Sequence, residues 1–166
     1  MADVLECLAQ IRALAETVPR LEVLVREVMV ERWRVRPAPG VWAPIEVLAH
    51  LADFELVYGA RLLGMISADS PHLQAIDPAA PARRLVYVER EPAAELARFA
   101  ARRADTLAVL RGCSAAELER TGIHARRGVI TVADLVAGML AHDTSHVGQI
   151  RQRVADTGDR PEHREA

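Results

Sequence analysis

Leu5, Leu8, Ile11, Leu14, Val18, Leu21, Leu24 and Val28 recur at every third or fourth position along the first part of the chain. That spacing places them on one face of a helix and restricts the fold to one that buries such faces against each other. Pro19 interrupts the run, so the sequence predicts a kink or a fresh helix start there, with Thr17 as a cap. Composition points the same way. Hydrophobic residues make up 51% of the chain but aromatics only 4%, so the core must be built from Leu, Val, Ile and Ala. Ala and Leu, with the abundant Arg and Glu, are strong helix formers. At 166 residues the chain has the size of one domain and should bury roughly 70% of its unfolded surface, enough to fold without a disulfide.

Three further helices are legible. The segment Arg36-Pro-Ala-Pro-Gly40 is a turn by composition, and Pro44 opens a second helix that carries Ile45, Leu48, Leu51 and Tyr58 and ends between Gly64 and Ile66. From Ser67 to Arg90 the pattern is irregular, with Pro71, Pro78 and Pro81, and reads as a long loop. A third helix starts at Pro92 and stops at Gly112, and Ser114-Ala-Ala-Glu117 is a capping box for a short helical piece. Thr131 to Asp134 is a weaker start signal for a fourth helix that runs to about Ala155. The expected architecture is therefore all-α, a four-helix bundle with a long loop between helices two and three. Residues 1–156 form the one domain and 157–166 a polar tail. No strand is legible.

Charge and composition exclude several function classes. The formal net charge is −2, and all 21 basic residues are arginines. They are scattered rather than gathered into a basic stripe, so nucleic-acid binding is not expected. No segment approaches the ~20 continuous apolar residues of a membrane span. Cys7 and Cys113 form no CxxC pattern, and acids stand where a signal peptide needs basic residues, which together predict a cytoplasmic protein.

The residues able to do chemistry are histidines. His142 and His146 are four apart on helix four, about 40° apart around its axis and ~6 Å along it, so both imidazoles can converge on one point. His50 sits in the apolar stretch Val47-Leu-Ala-His50-Leu-Ala52. An uncompensated imidazole there would cost roughly 1–3 kcal/mol, so a backbone carbonyl, a carboxylate or a metal shared with the pair on helix four must satisfy it. Glu46 and Phe54 lie one turn either side of His50 on nearly its face, and Gln149 one turn beyond His146; Glu46 or Gln149 can orient an imidazole or hold a metal-bound water, and Asp53 is less well aimed. Trp42 anchors the corner at the start of helix two. Arg102, Arg103, Arg126 and Arg127 are candidates for a substrate carboxylate, with a solvated or ion-paired surface role as the plainer reading. His72, His124 and His163 read as solvated.

The stretch Gly40-Val-Trp42-Ala-Pro-Ile-Glu46-Val-Leu-Ala-His50-Leu-Ala-Asp53-Phe-Glu55 resembles the helix-two signature of the DinB/YfiT-like superfamily. The stretch from Gly128 through His142-Asp143-Thr-Ser-His146-Val-Gly-Gln149-Ile150 resembles its helix-four signature, and Phe99 to Leu107 its third helix. The resemblance implies a four-helix bundle with a mononuclear site on His50, His142 and His146. It implies one divalent transition metal, zinc or nickel foremost, and commonly a homodimer. For some members it implies transferase or isomerase activity with a low-molecular-weight thiol as cosubstrate, while most have no known reaction, so the expectation for this chain is a metal-dependent enzyme on a small molecule, of thiol transferase, isomerase or hydrolase type. Three neutral histidines leave an ion an open position, as in catalytic zinc sites. The rival expectation is a non-catalytic binding or stress-response bundle that the metal staples together.

Other readings fail on spacing. His142-Asp143-Thr-Ser-His146 echoes the HExxH of metalloproteases, but Asp is shorter than the Glu that serves as base, and the extended form would need Gly and His where this chain has Gln149 and Gln152. A di-iron site needs Glu three residues before a ligand histidine, and His50 has Val47 there. Ser145 lies mid-helix, without the Gly-rich turn of a serine hydrolase.

Overall fold

The computed structural model describes residues 2–77 and 79–158. Helix α1 (Ala2–Ala15) and α2 (Thr17–Glu27) lead through a 3₁₀ turn (Val30–Arg34) to α3 (Pro44–Ser67). There follow β1 (His72–Leu73), α4 (Ala79–Arg84), a second 3₁₀ turn (Tyr87–Glu89) and α5 (Pro92–Gly112). The chain ends with α6 (Ala115–Leu118), β2 (Thr121–His124), β3 (Gly128–Thr131) and α7 (Val132–Gly158). Four positions make the bundle: α1 continued by α2, then α3, α5 and α7, with α3 packed on both α5 and α7. Among the described residues no helix is long and apolar enough to cross a membrane.

The first helix breaks at Glu16, three residues before Pro19, because a proline lacks the N–H that would close the preceding turn and its ring crowds the carbonyl four residues back. Thr17 does not cap the new helix, as the sequence suggested; Glu16 occupies that position, and the Thr17 hydroxyl donates to Asp143 at 2.7 Å. Both later start signals hold. The Ser114 hydroxyl accepts from Glu117 N–H at 3.3 Å, and the Thr131 hydroxyl accepts from Asp134 N–H at 3.0 Å while the Asp134 carboxylate takes Thr131 N–H.

Two expectations are corrected. Between α3 and α5 the chain is not one irregular loop: it pairs a short strand, adds α4, and turns through Val86 at φ 46°, a left-handed conformation that a β-branched residue seldom adopts. That turn lays the buried Tyr87 on α3, where its hydroxyl donates to Asp53 at 2.7 Å. The bundle also carries a three-stranded sheet of order β1-β2-β3, parallel then antiparallel. Strands of two and four residues are too short for a period of two to show in the sequence. The expected tail, with His163, lies outside the described residues apart from the end of α7. Cys7 and Cys113 are free thiols.

The core is divided. One apolar cluster joins α1, the second half of α3, the end of α5, and the start of α7 through residues such as Leu14, Met65, Leu110 and Met139. The other joins α2, Trp33, the first half of α3, the first half of α5 and the later part of α7 through Leu21, Leu48, Phe99 and Ile150. Between them runs a buried polar layer. Arg103 of α5 donates two hydrogen bonds to Glu55 of α3 (3.0 and 2.7 Å), two to Asp143 of α7 (2.6 and 3.1 Å) and one to the carbonyl of Leu14 (3.1 Å). Burial alone would lower the Arg103 pKa; the two carboxylates more than reverse this and raise it. The sequence reading left Arg103 to the surface or a substrate. Its position four residues after Phe99 and four before Leu107 puts it on the buried face of α5, a signal that periodicity does contain.

Candidate metal centre

Helix α3 holds His50 at 3% exposure, on the turn between Glu46 and Phe54, and α7 brings His142 and His146 to meet it. One ring nitrogen from each of the three lies within 4.8 Å of the others. Ring centroids are 5.1 Å apart for His50 and His142, 4.7 Å for His50 and His146, and 4.3 Å for His142 and His146. The trio lines an open cavity of about 300 Å³ together with Trp42 and Phe54. Phe54 stacks on His142 at 5.5 Å and leans on His50 at 4.3 Å, while the Trp42 ring stands 5.3 Å from His50. Trp42 is thus half-buried at the mouth of the site as well as anchoring the corner of α3.

Burial governs the electrostatics. It pushes His50 down to about 4 and His142 down to about 3, aided in each case by the neighbouring imidazoles, and it lowers His146 as well. All three rings are therefore neutral near pH 7, each with one nitrogen lone pair to offer. The protein satisfies them poorly. Nε2 of His50 faces Nε2 of His142 at 3.0 Å, so one proton serves two lone pairs, and Nδ1 of His50 is buried without a partner among the described residues. A shared ion in place of that proton would occupy both lone pairs. Two ligands at ~2.1 Å from one ion and 90–110° apart stand about 3.0–3.4 Å from each other, which the observed separation matches. The donor set fits a divalent transition metal.

The residues proposed as support for the imidazoles divide. Gln149 is in place, its Oε1 3.0 Å from Nδ1 of His146. Glu46 is not: it occupies the third position of α3, where its carboxylate accepts Ala43 N–H at 2.8 Å and two bonds from Arg36 at 2.8 and 2.6 Å. Helical angle placed Glu46 near His50, but the open N–H groups at the helix start claim it. Asp53 likewise turns from the histidines to Tyr87, Arg102 (3.1 Å) and Arg90 (3.2 Å). Burial would raise the Asp53 carboxyl; these donors together hold it below the ordinary range. Arg102 is consumed there and at the carbonyl of Ala52 (2.6 Å). Phe54 stands against His50, where its position one turn later on the same helix face puts it, while Trp42 and Tyr58 join the wall without a sequence expectation that they border the histidines. Tyr58 stands eight residues after His50, the helical spacing that would have shown it.

A family model for the DinB superfamily matches residues 13–150 of this chain. The fold is similar to that of YfiT from Bacillus subtilis, described as a probable metal-dependent hydrolase with an unusual four-helix bundle topology, with a TM-score of 0.84 and 21% identity over 92% of this chain and 87% of that one. It is also similar to the mycothiol-dependent maleylpyruvate isomerase, with a TM-score of 0.69 and 12% identity over 91% of this chain and 67% of that one. A histidine-to-alanine variant of the same enzyme matches with a TM-score of 0.69, 11% identity and the same coverage. None of the curated proteins matches the sequence. At these identities the likeness is one of fold.

Proposed function

The chain belongs to the DinB superfamily, and we propose that it is a metal-dependent enzyme acting on a small molecule through His50, His142 and His146. The single observation that carries this is the meeting of three neutral imidazoles, from two helices 92 residues apart in the case of His50 and His142, at the floor of an open cavity. When bound, a divalent ion supplies Lewis acidity and makes a water or thiol nucleophilic near neutral pH. Zinc or nickel suits the three nitrogens.

The chain's own groups have definite tasks in this reading. With the Gln149 amide oxygen accepting, His146 carries its proton on Nδ1 and presents Nε2 to the centre. Trp42 and Phe54 shield the imidazoles from bulk water, which strengthens every polar interaction at the cavity floor. The Arg103 layer ties α3 to α7 and so sets the distance between His50 and the pair on α7. A low-molecular-weight thiol is the cosubstrate we favour, in keeping with the thiol named for the isomerase of similar fold. A purely structural metal staple would need a fourth protein ligand, and among the described residues the cluster contains only the three histidines.

Elemental analysis of untagged protein should find about one zinc or nickel per chain. His50→Ala and His142→Ala should each abolish that uptake while leaving the helical circular dichroism intact. Metal-loaded protein should then turn over electrophiles with a thiol in a manner that a chelator stops. Protein that neither contains nor takes up a transition metal refutes the centre. Tight uptake with no turnover across a broad thiol and electrophile panel favours the staple.

A further inference from the structure

Beside the imidazole cluster lies a second cavity of about 380 Å³, between α3, the segment 75–77 and the turn joining β2 to β3. Phe54 belongs to the walls of both cavities. Tyr58, the next wall residue along α3, stands edge-on to His142 with ring centroids 5.5 Å apart. A molecule lying against these two rings therefore borders the histidines.

The polar part of this lining is cationic. Arg61 gives Nη2 to the carbonyl of Gln74 at 2.8 Å, and its Nε is buried with no partner among the described residues. Arg126 is exposed on the turn; its neighbour Arg127 is outside the lining and lies against α7, its Nη1 3.2 Å from where Gly138 would carry a Cβ. Among the described residues none of these three guanidinium groups is ion-paired, although most of the arginines on α5 are. The one carboxylate in the lining, Asp77, is already engaged by Arg83 and by Ala79 N–H. His124 completes the wall. Its Nδ1 accepts the N–H groups of Arg126 at 3.2 Å and Arg127 at 3.3 Å, so the neutral ring carries its proton on Nε2 and is a donor there. Burial first, and then Arg61, Arg127 and Arg126, keep that ring neutral.

We propose that this second cavity binds the carboxylate of a small organic acid, through Arg61, Arg126 and the His124 Nε2–H, with the apolar body of the acid against Phe54 and Tyr58. Guanidinium forks suit a carboxylate, and aromatic faces suit an unsaturated chain or ring. A phosphate is disfavoured because the backbone N–H groups of the turn, which would cradle one, are spent on His124. The inference rests on the proposed enzyme reading for its place in catalysis, but the binding itself needs no metal.

The test is titration of metal-free protein with benzoate, benzamide and inorganic phosphate, followed by nuclear magnetic resonance, for the wild type and for Arg126→Ala and Arg61→Gln. Benzoate should bind saturably and benzamide at least about tenfold more weakly, and each variant should weaken benzoate about tenfold. Circular dichroism and zinc uptake should be unchanged in both variants. Equal binding of benzoate and benzamide, benzoate binding indifferent to both variants, phosphate binding as tight as benzoate, or benzoate binding only after zinc is added would each overturn the proposal. Benzoate binding that survives in a protein unable to take up zinc would instead refute the metal centre alone.

Discussion

Replacing Arg103 by Met removes the one cation from the layer that separates the two apolar clusters. Five hydrogen bonds are lost, and the carboxylates of Glu55 and Asp143, both almost fully buried, are left facing each other without a counter-charge. Breaking a buried ion pair from one side costs about 3–5 kcal/mol, and here two anions are stranded, so the upper part of that range is expected. For a domain of this size about 4 kcal/mol corresponds to a fall in Tm of roughly 8–16 °C. Urea unfolding at pH 7 measures it directly. The charge argument makes a second demand: Glu55→Gln and Asp143→Asn, added to the Arg103→Met background, should recover about half of the loss or more, because neutral amides cost less to bury than unpaired carboxylates. A single variant that loses under about 1 kcal/mol, or a triple variant no better than the single, would refute the reasoning. The same layer positions His142 beside Asp143, so zinc affinity in Arg103→Met should fall as well.

Metal-free protein should become less stable as pH falls. His50 and His142 are held down to about 4 and about 3, below their ordinary 6.5, so their contribution is fully present above pH 6.5 and is lost as the pH drops towards those values. Between pH 7 and 5 the loss should be roughly 3 kcal/mol for the two together, and a flat profile over that window in urea titrations would contradict it. Gln149→Leu frees the His146 tautomer and should weaken zinc binding about 10- to 100-fold in competition with a chromogenic chelator; unchanged affinity would remove Gln149 from the site. Gly122→Ala would bring a Cβ to 2.9 Å from Met65 Cγ and 3.0 Å from Leu73 Cδ2, so it should cost about 1–3 kcal/mol in chemical denaturation. A cost below about 0.5 kcal/mol would show that these neighbours yield freely.

The long helices and the His142–His146 pair were legible because both depend on short-range spacing, whereas the joining of His50 to that pair was an expectation from the family resemblance. Pro92 to Gly112 and the start at Pro44 follow from residues that act on their immediate neighbours, and His142 and His146 converge because four residues make nearly one turn. Glu46 and Asp53 show the limit of such reasoning. Glu46 sits at a helical angle compatible with support for His50 and Asp53 at a poorer one, yet Ala43 N–H and Arg36 claim the first, while Tyr87, Arg102 and Arg90 claim the second. A carboxylate goes to the strongest donors within reach, and those donors come from parts of the chain whose approach no local pattern records.

From the order of its residues alone, then, this chain determined where its long helices run, which of their faces are apolar, and that two imidazoles project from one turn of α7. Tertiary packing alone decided that His50 faces that pair, that Arg103 is buried between two carboxylates, and that Arg61 and the β2–β3 turn meet beside Phe54 and Tyr58. The division is physical. Helical periodicity is set by backbone hydrogen bonds over four residues, whereas these meetings join residues 40 to 92 positions apart whose contact exists only once whole helix faces have been removed from water.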